Sequence, residues 1–108
     1  MPEQRVQVSA TRYRVPDICV AARPGPQEPI LREPPFICIE ILSPADSIRR
    51  MQERIDDYLG MGVPHIWLLD PQTRRAYTCA RGAILEAVDG ILRTENPDVI
   101  VPLAEIWR

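Results

Sequence analysis

Two carboxylates in this chain stand where carboxylates are uncommon. Glu40 interrupts the run Phe36-Ile37-Cys38-Ile39-Glu40-Ile41-Leu42, whose composition is otherwise that of a buried β-strand. Asp17 follows Pro16 at the mouth of a second apolar run, Ile18-Cys19-Val20. An acid within apolar surroundings costs several kcal/mol unless a counter-charge or a cation accompanies it. Two acids at the ends of neighbouring strands, with the backbone carbonyl of Ile41 as a third oxygen, make a ligand set for Mg²⁺ or Mn²⁺. Such an ion polarises a phosphodiester and lowers the pKa of water, so the pair points towards phosphate chemistry. Simpler alternatives stand beside this reading. Asp17 after a proline is also a common turn residue. Glu40 is also compatible with a half-exposed edge strand or with a salt bridge to an arginine.

Other reactive residue types carry less. His65 is the single histidine, and the cysteines Cys19, Cys38 and Cys79 have no paired spacing, so a zinc site is not indicated. Each cysteine lies in an apolar context and is expected to be reduced, as in a cytoplasmic protein. Ser43 lacks the flanking glycines of a nucleophile elbow, and no glycine-rich phosphate loop is present. Trp67 at strand spacing with Leu69 reads as core, and Asp70 before Pro71 reads as a turn residue. Arg49, Arg50 and Arg54 share a helical segment with Glu53, Asp56 and Asp57, which is the pattern of a solvated face.

The elements that must position the acids follow from patterning. The 108 residues are enough for one domain, 1–108, and the net charge of −2 argues against a protein that grips duplex DNA mainly through bulk charge. No segment is long and apolar enough to span a membrane. Arg5 to Val8 and Arg12 to Val15 alternate as the start of a hairpin. Ile18 to Ala22 is a strand, and the proline-rich stretch 23–29 is a loop that would let it pair antiparallel with the strand Phe36 to Leu42. A helix runs over about 46–60, capped by Asp46 or Ser43 and ended by Gly60 or Gly62. Ile48, Met51, Ile55, Tyr58, Leu59 and Gly62 fall on one face, its expected buried stripe. A strand follows at His65 to Leu69. Strand, helix, strand predicts a right-handed crossover and a parallel pair. Arg75–Cys79, Ala83–Val88 and Ile91–Thr94 read as a C-terminal meander with turns at Arg81-Gly82 and Asp89-Gly90. The tail around 99–107 reads as a strand end and a helical turn. The fold class is α/β with a mixed sheet and one main helix.

The segments VPDICVA (15–21), PPFICIEILSP (34–44) and ERIDDYLGMGVPHIWLLDP (53–71) together resemble the Uma-two family of restriction endonucleases, within the PD-(D/E)XK nuclease superfamily. The resemblance runs from about Tyr13 to the C-terminus. It covers Pro16-Asp17, Glu40 to Pro44, Tyr58, and Gly62-Val63 through Trp67 to Asp70-Pro71. It implies a restriction-endonuclease-like core, Asp17 and Glu40 as metal-binding acids, and DNA as the substrate. The family's helix lysine, four residues before the tyrosine, falls on Arg54. Catalytic roles would then belong to Asp17, Glu40 and Arg54, and metal binding to Asp17, Glu40 and Ile41.

The chain departs from the family pattern at one chemically decisive place. All 13 basic residues are arginine, so no lysine can serve at Arg54 or move in to replace it. Arginine stays protonated, with a pKa above about 12, and cannot accept a proton near neutral pH, although it can hold a phosphate. Weak cleavage is expected, or a catalytically inactive relative that acts as a binding or homo-oligomerisation module. Family members usually carry an N-terminal helical region with a further acid, whereas this sequence begins almost at the Asp17 strand. A C₂ homodimer would cover the exposed sheet.

Overall fold

The computed structural model describes residues 5–9, 12–14, 17–21, 30–31, 33–80 and 83–107. In chain order the elements are β1 (Arg5–Ser9), β2 (Arg12–Arg14), β3 (Ile18–Val20), β4 (Ile30–Leu31), β5 (Ile37–Ile41), α1 (Ile48–Met61), β6 (His65–Asp70), β7 (Arg75–Ala80), β8 (Ala83–Glu86), β9 (Ile91–Thr94), β10 (Val99–Pro102) and α2 (Leu103–Ile106). The central sheet is five-stranded, in the order β3-β5-β6-β7-β8. The β5–β6 pair is parallel, as a strand–helix–strand crossover requires, and the other pairs are antiparallel. The sheet is thus mixed, with one long helix and C-terminal strands. The predicted loop at 23–29 and the turn at Arg81-Gly82 lie outside the described residues.

Strand alternation places the chemistry. Side chains of successive strand residues face opposite sides of the sheet. Cys38 therefore shares a face with Glu40, while Ile37 and Ile39 face the other way. On the first face, Cys38, Ile66, Leu68 and Cys79 pack with Ile55, Tyr58 and Val63 from α1 and its C-terminal turn. On the second, Ile37, Trp67, Leu69 and Ala76 pack with Phe36 and Leu92 and are flanked by Leu103, Ile106 and Trp107. β6 is buried on both sides, which accounts for its unbroken apolar run. Glu40 lies on the face that α1 covers and is 5 % exposed.

Three expectations change. Ser47, not Asp46 or Ser43, caps α1: it is extended (φ −88°, ψ 155°), and its hydroxyl accepts the Arg50 N–H at 3.1 Å. Asp46 is drawn back instead, accepting the Ser43 N–H at 2.9 Å. Ile48 is 74 % exposed, so the buried stripe begins one turn later, with Met51 half-buried and Ile55 buried. Finally, β9 does not continue a meander onto β8 but pairs with β10 as a separate two-stranded sheet. Leu92 is the reason: it is fully buried against the second face, which draws β9 across the sheet and away from its edge. β4, two residues pairing parallel with β1, is not readable from so short a segment. Gly62 ends α1 in the left-handed region (φ 102°), its N–H bonding the Tyr58 and Leu59 carbonyls.

Removing the true cap should be measurable. Ser47→Ala is expected to lower stability by about 1 kcal/mol in urea unfolding, with no change in the slope of the transition. An unchanged midpoint would exclude Ser47 as the cap.

Candidate functional site

The site is built at one end of the β3–β5 pair. Their register sets Ile18 against Ile39, Cys19 against Cys38 and Val20 against Ile37. Continuing that register by one residue places Asp17 across from Glu40. The two acids, 23 residues apart in sequence, thus meet because the strands pair antiparallel. Asp17 is held by the strand opposite, its Oδ2 accepting the Ile41 N–H at 2.7 Å. That contact brings Ile41, the expected third ligand, directly beside the acids.

Glu40 is fixed from the helix side. The Tyr58 hydroxyl donates to Glu40 Oε1 at 2.7 Å, and Tyr58 is 1 % exposed. On the other carboxylate oxygen, Arg54 Nη1 lies 3.8 Å from Glu40 Oε2, and the same nitrogen lies 3.8 Å from Asp46 Oδ1. Arg54 and Tyr58 are one helical turn apart, so both reach the strand above them. Tyr58 and Asp46 are the two residues whose part at the site the sequence did not disclose. Tyr58 stood out only as a buried-stripe and motif residue, and Asp46 only as a cap candidate. The signal for Tyr58 was its i+4 spacing from Arg54 under a strand bearing an acid.

These surroundings leave Glu40 short of positive charge. Burial pushes its carboxyl up from an ordinary 4.5 to about 7. The Tyr58 hydrogen bond pulls downward, the Asp17 charge pushes up, the Arg54 charge pulls down, and a hydrogen bond with the Asp17 carboxyl adds to the rise. Cys38, next along the same face, is pushed up to about 12 by burial, by Cys19 and by Glu40, as suits an inert core thiol. Cys19, Cys38 and Cys79 are all free. Elsewhere the predicted bland roles hold. Asp70 Oδ1 accepts the Gln72 and Thr73 N–H groups of its turn, and Trp67 is buried in the second cluster. His65 stacks edge-on against Phe36, with ring centroids 4.9 Å apart.

A crowded pair of carboxylates, one of them buried, is a donor set that suits a hard divalent cation, since Mg²⁺ takes one or two protein carboxylates and completes its shell with water or phosphate. Among the described residues no group of three or more His, Cys, Asp or Glu side chains is arranged to hold a metal ion, so any ion here would rest on the two acids and backbone oxygen.

The family model described as "Putative restriction endonuclease" (Uma2) matches residues 1–104. The chain belongs to the Uma2 family. A solved structure from Anabaena variabilis, described as "a putative nuclease belonging to DUF820", is similar to it at 22 % identity with a TM-score of 0.73. The match covers 99 % of this chain and 66 % of that one, so this Uma2 chain spans somewhat under two thirds of its solved neighbour's length. At that identity the likeness speaks for the fold. No curated protein matches the chain. Among the described residues, no helix of this Uma2 member is long and apolar enough to cross a membrane.

The raised carboxyl has a consequence for stability. The unfolded chain loses the Glu40 proton near pH 4.5, whereas the folded chain keeps it up to about pH 7. Folded protein then binds more protons than unfolded, so Glu40's contribution falls between those values and is flat above them. With a chelator present, urea unfolding at pH 5 and pH 8 should show a decline on the order of 3 kcal/mol from this group, absent in Glu40→Gln. A parallel decline in wild type and Glu40→Gln would place the effect elsewhere. Tyr58→Phe, which leaves the buried acid without its donor, should cost about 1–3 kcal/mol at pH 8 in the same assay.

Proposed function

We propose that this chain is a metal-dependent endonuclease that hydrolyses DNA phosphodiester bonds slowly, using Mg²⁺ or Mn²⁺ at Asp17, Glu40 and the Ile41 carbonyl. The observation that carries the reading is the convergence of Asp17 and Glu40 from antiparallel strands, with Glu40 buried and raised to about 7. Membership in a family described as restriction endonucleases supports nuclease chemistry in general. DNA as the polymer, the ion and the residue roles belong to the proposal.

A divalent cation at this site would supply positive charge to the scissile phosphate and acidify an attacking water. The chain's own residues prepare for that. Tyr58 orients one Glu40 oxygen, and the other lies 3.8 Å from Arg54 Nη1. The Ile41 N–H orients Asp17 in the same way. Arg54, on the flank of α1, is placed to donate to phosphate oxygens and to stabilise charge that builds up on them in the transition state. It cannot take the proton from water, which is the part a lysine at this position is able to play. That limit also favours the second reading, a catalytically inactive relative that retains the site for binding.

Calorimetric titration with Mn²⁺ and nicking of supercoiled plasmid test the proposal together. Wild type should bind the ion and nick slowly, while Asp17→Asn and Glu40→Gln should each lose about a hundredfold or more in rate. Arg54→Lys should cleave faster than wild type. Nicking that persists unchanged in both acid variants would sink the enzyme reading. Binding without nicking, in wild type and Arg54→Lys alike, would favour the inactive relative.

A further inference from the structure

We propose that Arg54 is a built-in counter-cation of the acid pair, which a divalent cation displaces from Glu40 onto Asp46, so that Asp46 acts as a positioning residue for the arginine. The inference rests on the metal-binding reading above and concerns how entry of the ion is regulated.

The geometry points to a group poised between two places. One nitrogen of Arg54 lies 3.8 Å from Glu40 Oε2 and 3.8 Å from Asp46 Oδ1. Charge-assisted hydrogen bonds close to about 2.7–2.9 Å, so neither contact is closed. A guanidinium carries five N–H donors, and no closed hydrogen bond from this one is found among the described residues. Its side chain is 34 % exposed, whereas those of its two acids are 6 % and 17 % exposed. The head group can therefore shift without dragging buried structure, while its anchors stay fixed. Glu40 is pinned by Tyr58 and Asp46 by the Ser43 N–H.

The electrostatics give the shift a direction. Without another cation, Arg54 is the positive charge beside a buried carboxyl that Asp17 already crowds. A divalent ion on Glu40 would repel the guanidinium at this short range, and Asp46 is the nearby anion left to receive it. One edge of the planar fork would then rest on Asp46, and the other edge would be free for a phosphate oxygen. Arg54 would thus oppose ion entry and, once displaced, stand ready for the substrate. A lysine, with a single compact ammonium, cannot hold Asp46 and a phosphate through two separate edges.

Mn²⁺ calorimetry on four proteins tests this without any activity assay: wild type, Arg54→Gln, Asp46→Asn and the double variant, each checked for folding by thermal unfolding. Arg54→Gln should bind Mn²⁺ about tenfold tighter or more, including the case in which only the variant binds measurably. Asp46→Asn should weaken binding severalfold in the presence of Arg54 and have less than a twofold effect in the Arg54→Gln background, because the receiver matters only when there is an arginine to receive. Equal or weaker binding by Arg54→Gln overturns the proposal while leaving the metal site standing. An equal Asp46→Asn effect in both backgrounds also overturns it, since the aspartate would then act on the ion through space. Absence of binding in all four proteins removes the metal reading itself. If Arg54→Gln fails to fold, Arg54→Met replaces it with the same expected outcomes.

Discussion

A buried hydrogen bond, from the Tyr58 hydroxyl to Glu40 Oε1, joins the main helix to the central sheet at the point where the chain places its chemistry. The side chains packed around the phenol are apolar. Ile55, Val63, Ile66, Leu68 and Cys38 form the same cluster, and among the described residues the phenol is the neutral side-chain donor that meets a carboxylate turned inward by strand alternation. Without it, an acid in that layer would have to be neutral or absent. With it, one oxygen is fixed and the other is left towards Arg54 and the Asp17 side of the sheet.

The rest of the site can be understood as compensation for that buried acid. Asp17 makes matters worse electrostatically, since its charge raises the Glu40 carboxyl further. Asp17 is exposed and holds the Ile41 N–H, but its charge still faces a buried carboxyl that lacks a closed cationic partner. The arrangement makes physical sense when a cation of higher charge than Arg54 visits the pair. Arg54 itself, one turn before Tyr58, offers partial relief at 3.8 Å and is shared with Asp46. On the proposed reading the chain combines acids suited to a hard cation with a cation of its own that competes for them, and because a guanidinium stays protonated that competition persists at every physiological pH.

Much of this architecture is legible in the sequence. Helical periodicity located α1, the unbroken apolar run located β6, and their order required the parallel β5–β6 pair. Glu40 and Asp17 were visible as misplaced acids. What could not be read was register. A long connection between β3 and β5 imposes no geometry, so nothing in the sequence says that Asp17 meets the Ile41 N–H and not a residue two places along. The Tyr58–Glu40 bond depends on how the crossover seats the helix on the sheet, which is settled by packing of the whole first face. Local competition explains the smaller misses. Asp46 and Ser47 are both good caps, and the choice turned on the Ser43 N–H drawing Asp46 away. β9 looked like the next strand of a meander until burial of Leu92 decided its course.

The claim on which this account stands is that Glu40 is a buried acid whose charge awaits a cation. Its carboxyl carbon can be followed directly by ¹³C NMR across pH 4 to 9, with glutamate labelled and Glu40→Gln used for assignment, first with a chelator and then with saturating Mg²⁺. The account predicts a midpoint near 7 with chelator and a clear downward displacement when Mg²⁺ is added. A midpoint near the ordinary 4.5, unmoved by Mg²⁺, would show that Glu40 is neither strained by its burial nor poised to hold an ion, and would contradict it.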